Sequence, residues 1–149
     1  MYLDIKYEKV KVPWKDFENK VADIFESFDY KVLRNINFKT GRRYQIDLIA
    51  FDSSRVFCVD CKYHKYIPPS IEDYFTMKQV ERMMEYMKID RRDFMGKRIF
   101  FMLVTRYATD SAASSQTQGR IMSMDEGSLN DLLNRIELYE DKLLSFKFY

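Results

Sequence analysis

The stretch Tyr44-Gln45-Ile46-Asp47-Leu48-Ile49-Ala50-Phe51, followed after Asp52-Ser53-Ser54 by Arg55-Val56-Phe57-Cys58-Val59-Asp60-Cys61-Lys62-Tyr63, decides how this chain folds. Both runs are short, apolar and rich in β-branched and aromatic residues, so they read as strands over Tyr44–Phe51 and Val56–Tyr63. The tight connection between them implies antiparallel pairing. Each strand carries one carboxylate in an otherwise apolar setting: Asp47 in the first, Asp60 in the second. A buried, ionised carboxylate is costly unless it is paired or holds a metal, and two on consecutive strands call for a common explanation.

Working outward, Tyr30 to Phe38 reads as a further strand, joined to the pair by the turn Lys39-Thr40-Gly41-Arg42. Before it, Phe17, Val21, Ile24, Phe25 and Phe28 recur at helical spacing from a start near Val12-Pro13-Trp14, where a proline suits the first turn. After Pro68-Pro69-Ser70, Ile71 to about Met87 is expected to be a helix with Met77, Val80, Met84 and Met87 on one side, a methionine-rich face expected to be core. Lys97 to Thr105 is a continuous apolar strand, of the kind covered on both faces at a sheet centre. A short helix is expected from Ala108 to about Gln118, then a strand Arg120–Met124. A last helix is expected to be capped by Ser128 with Asp131 and to carry Leu129, Leu132, Leu133 and Ile136, with Leu143 and Leu144 as candidate extensions. The order implies an α/β sandwich with a mixed central sheet and flanking helices, in one domain over residues 1–149.

Composition narrows the classes. The 149 residues suffice for a real core, and a hydrophobic fraction of 46% excludes a disordered chain. The longest apolar run, Ile99 to Val104, is far too short to cross a bilayer. Met1-Tyr2-Leu3-Asp4-Ile5-Lys6 alternates charged with apolar residues and forms no leader-like apolar core, so a soluble cytoplasmic protein is expected. With 25 basic and 23 acidic residues, any nucleic-acid binding must come from local patches. Candidates are Lys39, Arg42 and Arg43 in KTGRR, and Lys62, His64 and Lys65 in KYHK. Cys58 and Cys61 are three apart on a strand, so their thiols point to opposite faces, and no partner pair completes a zinc site.

Asp60 and Lys62 are two apart and project from the same strand face, with Asp47 close to Asp60 across the ladder. Two facing carboxylates repel each other, and a bound Mg²⁺ turns that repulsion into ligation. Phosphodiester hydrolysis uses such a group: hard oxygens to hold the ion, an activated water, and a cation to meet charge on the phosphate. Lys62 suits the last role, since neighbouring carboxylates keep its ammonium protonated.

These residues resemble the PD-(D/E)xK nuclease superfamily, whose pattern is an acid on an N-terminal helix, an Asp on one strand and (D/E)-x-K on the next. Glu18, Asp47 and Asp60-Cys61-Lys62 match in order and on the expected elements. Phe17-Glu18, Asp29-Tyr30, Phe101-Met102-Leu103-Val104-Thr105 and Ile121-Met122-Ser123-Met124-Asp125 are similar to Mrr-type restriction endonucleases and archaeal Holliday junction resolvases, and the likeness loosely covers most of the chain. Two departures stand out: Asp60 occupies a position where Mrr-type enzymes often carry Gln, and Ile46 replaces the proline before Asp47.

The resemblance implies a restriction-endonuclease-like three-layer sandwich and a Mg²⁺-dependent DNA endonuclease, with Mn²⁺ able to substitute. It implies Glu18, Asp47, Asp60 and the Cys61 backbone carbonyl as metal ligands, and Gln79 as an auxiliary catalytic residue. Asp23 or Glu26 could serve in place of Glu18. A junction-cleaving enzyme of DNA repair or recombination would act as a homodimer, because two strands must be cut symmetrically. The alternative is a non-catalytic nucleic-acid-binding or assembly subunit that keeps the fold.

Overall fold

The first helix, α1 (Pro13–Ser27), buries Phe17, Val21, Ala22 and Phe25 along one stripe, as its helical spacing requires. It stops because Asp29 takes a left-handed conformation (φ 68°), and the N–H groups of Asp29 and Tyr30 return to the carbonyls of Glu26 and Phe25. Tyr30 then packs edge-on against Phe25, the apolar contact that accompanies this kind of helix end.

The computed structural model describes residues 13–63, 69–90, 94–106, 114–117 and 120–148. Strands β1 (Lys31–Thr40), β2 (Arg42–Phe51) and β3 (Arg55–Lys62) form an antiparallel meander. Gly41, at φ 86°, makes the first turn, and Asp52 Oδ1 accepts the N–H groups of Ser54 and Arg55 to hold the second. Helix α2 (Pro69–Met87) leads to β4 (Arg98–Thr105), which lies parallel to β3. Strand β5 (Ser114–Thr117) pairs antiparallel with β6 (Arg120–Asp125), and β6 lies parallel to β4. The chain continues through α3 (Glu126–Asn134), the short α4 (Ile136–Tyr139), a 3₁₀ turn over Glu140–Lys142 and β7 (Ser145–Lys147), which pairs antiparallel with β4.

The result is a mixed sheet in the order β1-β2-β3-β4-β6-β5, with β7 beside β4 and a helical layer on each face. One layer packs α1, α3 and α4 against Leu48, Phe57, Val59, Phe100 and Met102. The other packs Val80, Met83, Tyr86 and Met87 of α2 against Ile46, Ile49, Val56, Cys58, Ile99 and Phe101. This is the α/β restriction-endonuclease-like sandwich expected from the sequence. From Ile99 to Thr105, β4 is buried at every position, because helices cover both of its faces. No helix among the described residues is long and apolar enough to cross a membrane.

Several local expectations need correction. Ser114–Thr117 is a strand and not the end of a helix, since hairpin pairing with β6 satisfies a Ser- and Thr-rich backbone that nucleates helix poorly. The remainder of that expected helix lies outside the described residues. The cap of α3 is Asp125, whose Oδ1 accepts the Ser128 N–H at 2.7 Å; Ser128 lies inside the helix. The last helix ends at Asn134, and Leu143 and Leu144 follow the 3₁₀ turn, packing into opposite layers on the way to β7. On α2, Met83 and Met87 are core while Met77 and Met84 are exposed, so the methionines do not form one buried face.

Candidate active site

One irregularity in the meander positions the site. The β1–β2 ladder pairs Arg34 with Leu48 and Ile36 with Ile46, passing over the step between them, where Asn35 sits opposite Asp47. Asn35 is left-handed there (φ 48°), a conformation that Asn tolerates better than most residues. Regular alternation would put Ile46 and Leu48 on one face. Instead Leu48 packs with the α1 layer and Ile46 with the α2 layer, so the strand changes face at Asp47.

The β2–β3 ladder ends just short of the same point, at Leu48↔Val59. One step further the Asp47 carboxylate takes over, with Oδ2 accepting the Cys61 backbone N–H at 3.0 Å. Asp60 is 4% exposed, and its Oδ2 lies 3.0 Å from Lys62 Nζ. That contact is an ion pair without hydrogen-bond geometry, because Oδ2 makes no hydrogen bond. Lys62 Nζ in turn sits 4.4 Å from the centre of the Phe75 ring on α2.

These groups open into a cleft of about 500 Å³ between α1 and α2, lined also by Trp14, Glu18, Gln45, Tyr63 and Arg82. Burial, and then the hydrogen-bonded Asp60 carboxyl, push the Asp47 carboxyl up to about 8, although the Cys61 N–H pulls the other way. Partial burial also raises Glu18, with Lys15 opposing and Asp60 adding to the rise. Without a cation, then, this acidic group holds a proton that isolated carboxylates would release.

The donors suit a hard divalent ion on chemical grounds. Asp60 Oδ2 is buried and lacks a hydrogen bond, and the adjacent Asp47 carboxylate is strained toward its neutral form. Among the described residues no three His, Cys, Asp or Glu side chains converge closely enough to enclose an ion. The close donors are therefore the two carboxylates Asp47 and Asp60, with Glu18 at electrostatic range. That set leaves room for the several waters Mg²⁺ ordinarily keeps. The thiols contribute nothing of this kind: Cys58 and Cys61 belong to opposite layers, and burial pushes both well above their ordinary range.

Other candidate residues fall in different places. Asp23 and Glu26 pair with Arg34, leaving Glu18 as the α1 carboxylate in the cleft. Gln79 is buried and does not line the cleft; its Oε1 is 3.5 Å from Arg82 Nη1 and its Nε2 is without a hydrogen bond among the described residues. Lys39 and Arg43 are cross-strand neighbours at the exposed hairpin tip. Arg42 stacks over Tyr44 and is ion-paired with Glu81 of α2. His64 and Lys65 lie outside the described residues.

Sequence reasoning missed Trp14, Tyr63, Phe75 and Arg82 as cleft residues. Trp14 stands four residues before Glu18 on a helix, a spacing that places both on one face and could have flagged it. Arg82 is one of several charges on α2, and nothing in its local sequence marks it.

The fold and the paired carboxylates define the class: an α/β sandwich of the restriction-endonuclease type with an acidic cleft at the end of its antiparallel meander. The model of the nuclease-related domain family matches residues 13–99, more than half of the chain, and the chain belongs to that family. The match spans α1, the meander, α2 and the start of β4, the segments that build the cleft. A comparison with curated proteins finds no match. Among solved structures the chain is similar to one titled as a protein of unknown function, AF1548, at 16% identity and TM-score 0.45, over 63% of this chain and 47% of that one. The chain thus spans less than half the length of that protein.

Proposed function

We propose that this chain is a Mg²⁺-dependent DNA endonuclease, hydrolysing phosphodiester bonds at the Asp47–Asp60 cleft, with Mn²⁺ able to replace Mg²⁺. The observation that carries this reading is the arrangement of Asp47, Cys61, Asp60 and Lys62. Asp47 is tied to the Cys61 N–H at 3.0 Å, and Lys62 Nζ stands 3.0 Å from Asp60. The family assignment supports a nuclease-related role. Substrate choice within this reading is structure-selective, as for branched or junction DNA, or restriction-like.

Asp47, Asp60 and the Cys61 carbonyl would hold the ion, and Glu18 would accept from its waters. When bound, the ion supplies Lewis-acid polarisation of the phosphate and a lowered pKa for a ligated water. The hydrogen bond to Cys61 fixes the Asp47 carboxylate against the β3 backbone, so its orientation is set before substrate arrives. Lys62, ion-paired with Asp60, directs its ammonium at charge growing on the non-bridging phosphate oxygens. Arg82, steadied by Gln79, offers a second cation for a phosphate flanking the scissile one. In the net reaction a water oxygen forms a bond to phosphorus, one ester P–O bond breaks, and the departing oxygen takes a proton.

The test is cleavage of supercoiled plasmid, linear duplex, single strand, flap and four-way junction with Mg²⁺ or Mn²⁺, wild type beside Asp60→Ala. Metal binding is followed in parallel by calorimetry. Metal-dependent cutting lost in the variant supports the proposal. DNA binding without turnover, unaffected by Asp60→Ala, would instead favour a non-catalytic binding subunit.

A further inference from the structure

The cleft contains more aromatic surface than hydrolysis of a phosphodiester needs. Trp14, Tyr63 and Phe75 line it together with the carboxylates. Two of these rings are already covered by cations: the Arg106 guanidinium lies 4.5 Å from the Tyr63 ring centre and Lys62 Nζ 4.4 Å from that of Phe75. Trp14 carries a looser one: it is 37% exposed, in the first turn of α1, and the ammonium of its neighbour Lys15 lies 5.4 Å from the ring centre. One turn further along the same helix stands Glu18, so the indole lies beside the acidic end of the cleft.

A partly exposed indole at the lip of an anionic and cationic site offers a flat apolar face to a ligand. A base-paired duplex offers phosphates and sugars on its outside, and its base faces are hidden by stacking. An unpaired nucleotide offers both: a phosphate for Lys62 and Arg82, and a bare base face for the ring. The cleft volume, about 500 Å³, lies in the range of small-ligand sites, on the scale of a nucleotide held singly.

We propose that this cleft takes DNA through unpaired nucleotides, with Trp14 as the platform on which a base stacks beside a phosphate held at Lys62 and Arg82. This deepens the nuclease reading and rests on it for the phosphate position. The substrate class is single-stranded DNA or the unpaired stretch of a branched structure, and not continuous duplex. Tyr63 and Phe75, each under a cation, form side walls that keep the base in place.

Trp14 is the only tryptophan in the chain, so its emission reports stacking directly. The experiment titrates the 149-residue chain in EDTA with a short oligothymidylate, an intramolecular duplex of the same length, and an abasic oligonucleotide carrying the same phosphates. Expected is quenching by the oligothymidylate, no quenching by the abasic strand, and single-strand affinity exceeding duplex affinity. Trp14→Ala, compared by fluorescence anisotropy of labelled DNA, should lose about tenfold of single-strand affinity with little change for duplex. Trp14→Phe should recover most of it, and a melting curve shows that both variants remain folded.

Equal affinity of wild type for duplex and single strand would overturn the proposal, as would tight single-strand binding without quenching or a Trp14→Ala variant that discriminates like wild type. Failure of the nuclease reading looks different. In that case no DNA is cut in Mg²⁺ and Asp60→Ala changes nothing, whatever the tryptophan emission does.

Discussion

Asp47 Oδ2 accepts the backbone N–H of Cys61 at 3.0 Å, just beyond the last residue pair of the β2–β3 ladder, Leu48↔Val59. A side-chain carboxylate thus does what a strand carbonyl would do one step earlier. The sheet opens there without orphaning the Cys61 N–H, and the carboxylate is locked beside Asp60. The arrangement links the strand break to the chemistry, because a continued ladder would leave no opening for a substrate at this end of the sheet.

The protonation of Asp47 should make metal-free stability depend on pH. Its folded-state pKa, about 8, lies above the unfolded value of a carboxyl, roughly 3.9. The proton is therefore bound more tightly in the folded chain, and this contribution is full below the unfolded value and lost as pH rises through the folded one. Asp47→Asn keeps an oxygen acceptor for Cys61 and removes the titration. In EDTA the variant should gain on wild type as pH rises from about 5 to about 9, by roughly 1–3 kcal/mol at the upper end. Chemical denaturation at several pH values measures it; parallel stability curves would contradict the assignment.

Lys62→Met should lower single-turnover DNA cleavage by roughly 100- to 1,000-fold, the scale of losing one electrostatic donor to a developing charge. Its ammonium is the cation 3.0 Å from the buried Asp60. Lys62→Arg should restore part of the rate, since it keeps the charge but not the compact geometry. A Met variant within a few-fold of wild type would remove Lys62 from the mechanism.

Arg82→Ala should weaken DNA binding and reduce the slope of log affinity against log salt by about 1, as expected when one phosphate contact is lost. Gln79→Met should weaken binding in the same direction by freeing Arg82, whose Nη1 it meets at 3.5 Å. It should also leave stability within about 1 kcal/mol of wild type, because the buried Nε2 it removes has no hydrogen bond among the described residues. Salt-dependent anisotropy titrations and thermal melts separate the two effects.

Ser123→Ala should destabilise the fold by roughly 1–3 kcal/mol, measured as a shift in urea midpoint at constant slope. Ser123 Oγ donates to Glu72 Oε1 at 2.9 Å, both residues are about 1% exposed, and Glu72 Oε2 has no hydrogen bond among the described residues. Removing the hydroxyl leaves a buried carboxyl with less compensation. An unchanged midpoint would mean that water or another group satisfies Glu72.

The elements most legible in the sequence are those whose residues also make the core. Phe17, Val21 and Phe25 on α1, the alternation across β3, and the apolar run of β4 all point where their burial requires. The opposed Cys58 and Cys61 and the antiparallel turn at Asp52 follow from strand geometry alone. Elements held by remote partners were not legible. Strand β7 has three residues and exists because Phe146 pairs with Ile99, while β5 exists because it pairs with β6. The exposure of Met77 and Met84 was equally hidden, because composition cannot show which side of α2 meets the sheet.

By itself the sequence determined that two carboxylates and a lysine would sit on adjacent antiparallel strands, since a period of two and a short turn leave little freedom in register. It could not determine where those strands part. The left-handed Asn35, the change of face at Asp47 and the capture of the Cys61 N–H arise from both helical layers packing on one sheet. That packing also brings Trp14 and Glu18 from α1 and Phe75 and Arg82 from α2 to the same cleft. Local periodicity carries the phase of a single element, whereas a cleft forms from the relative placement of several, and only the tertiary structure decides that.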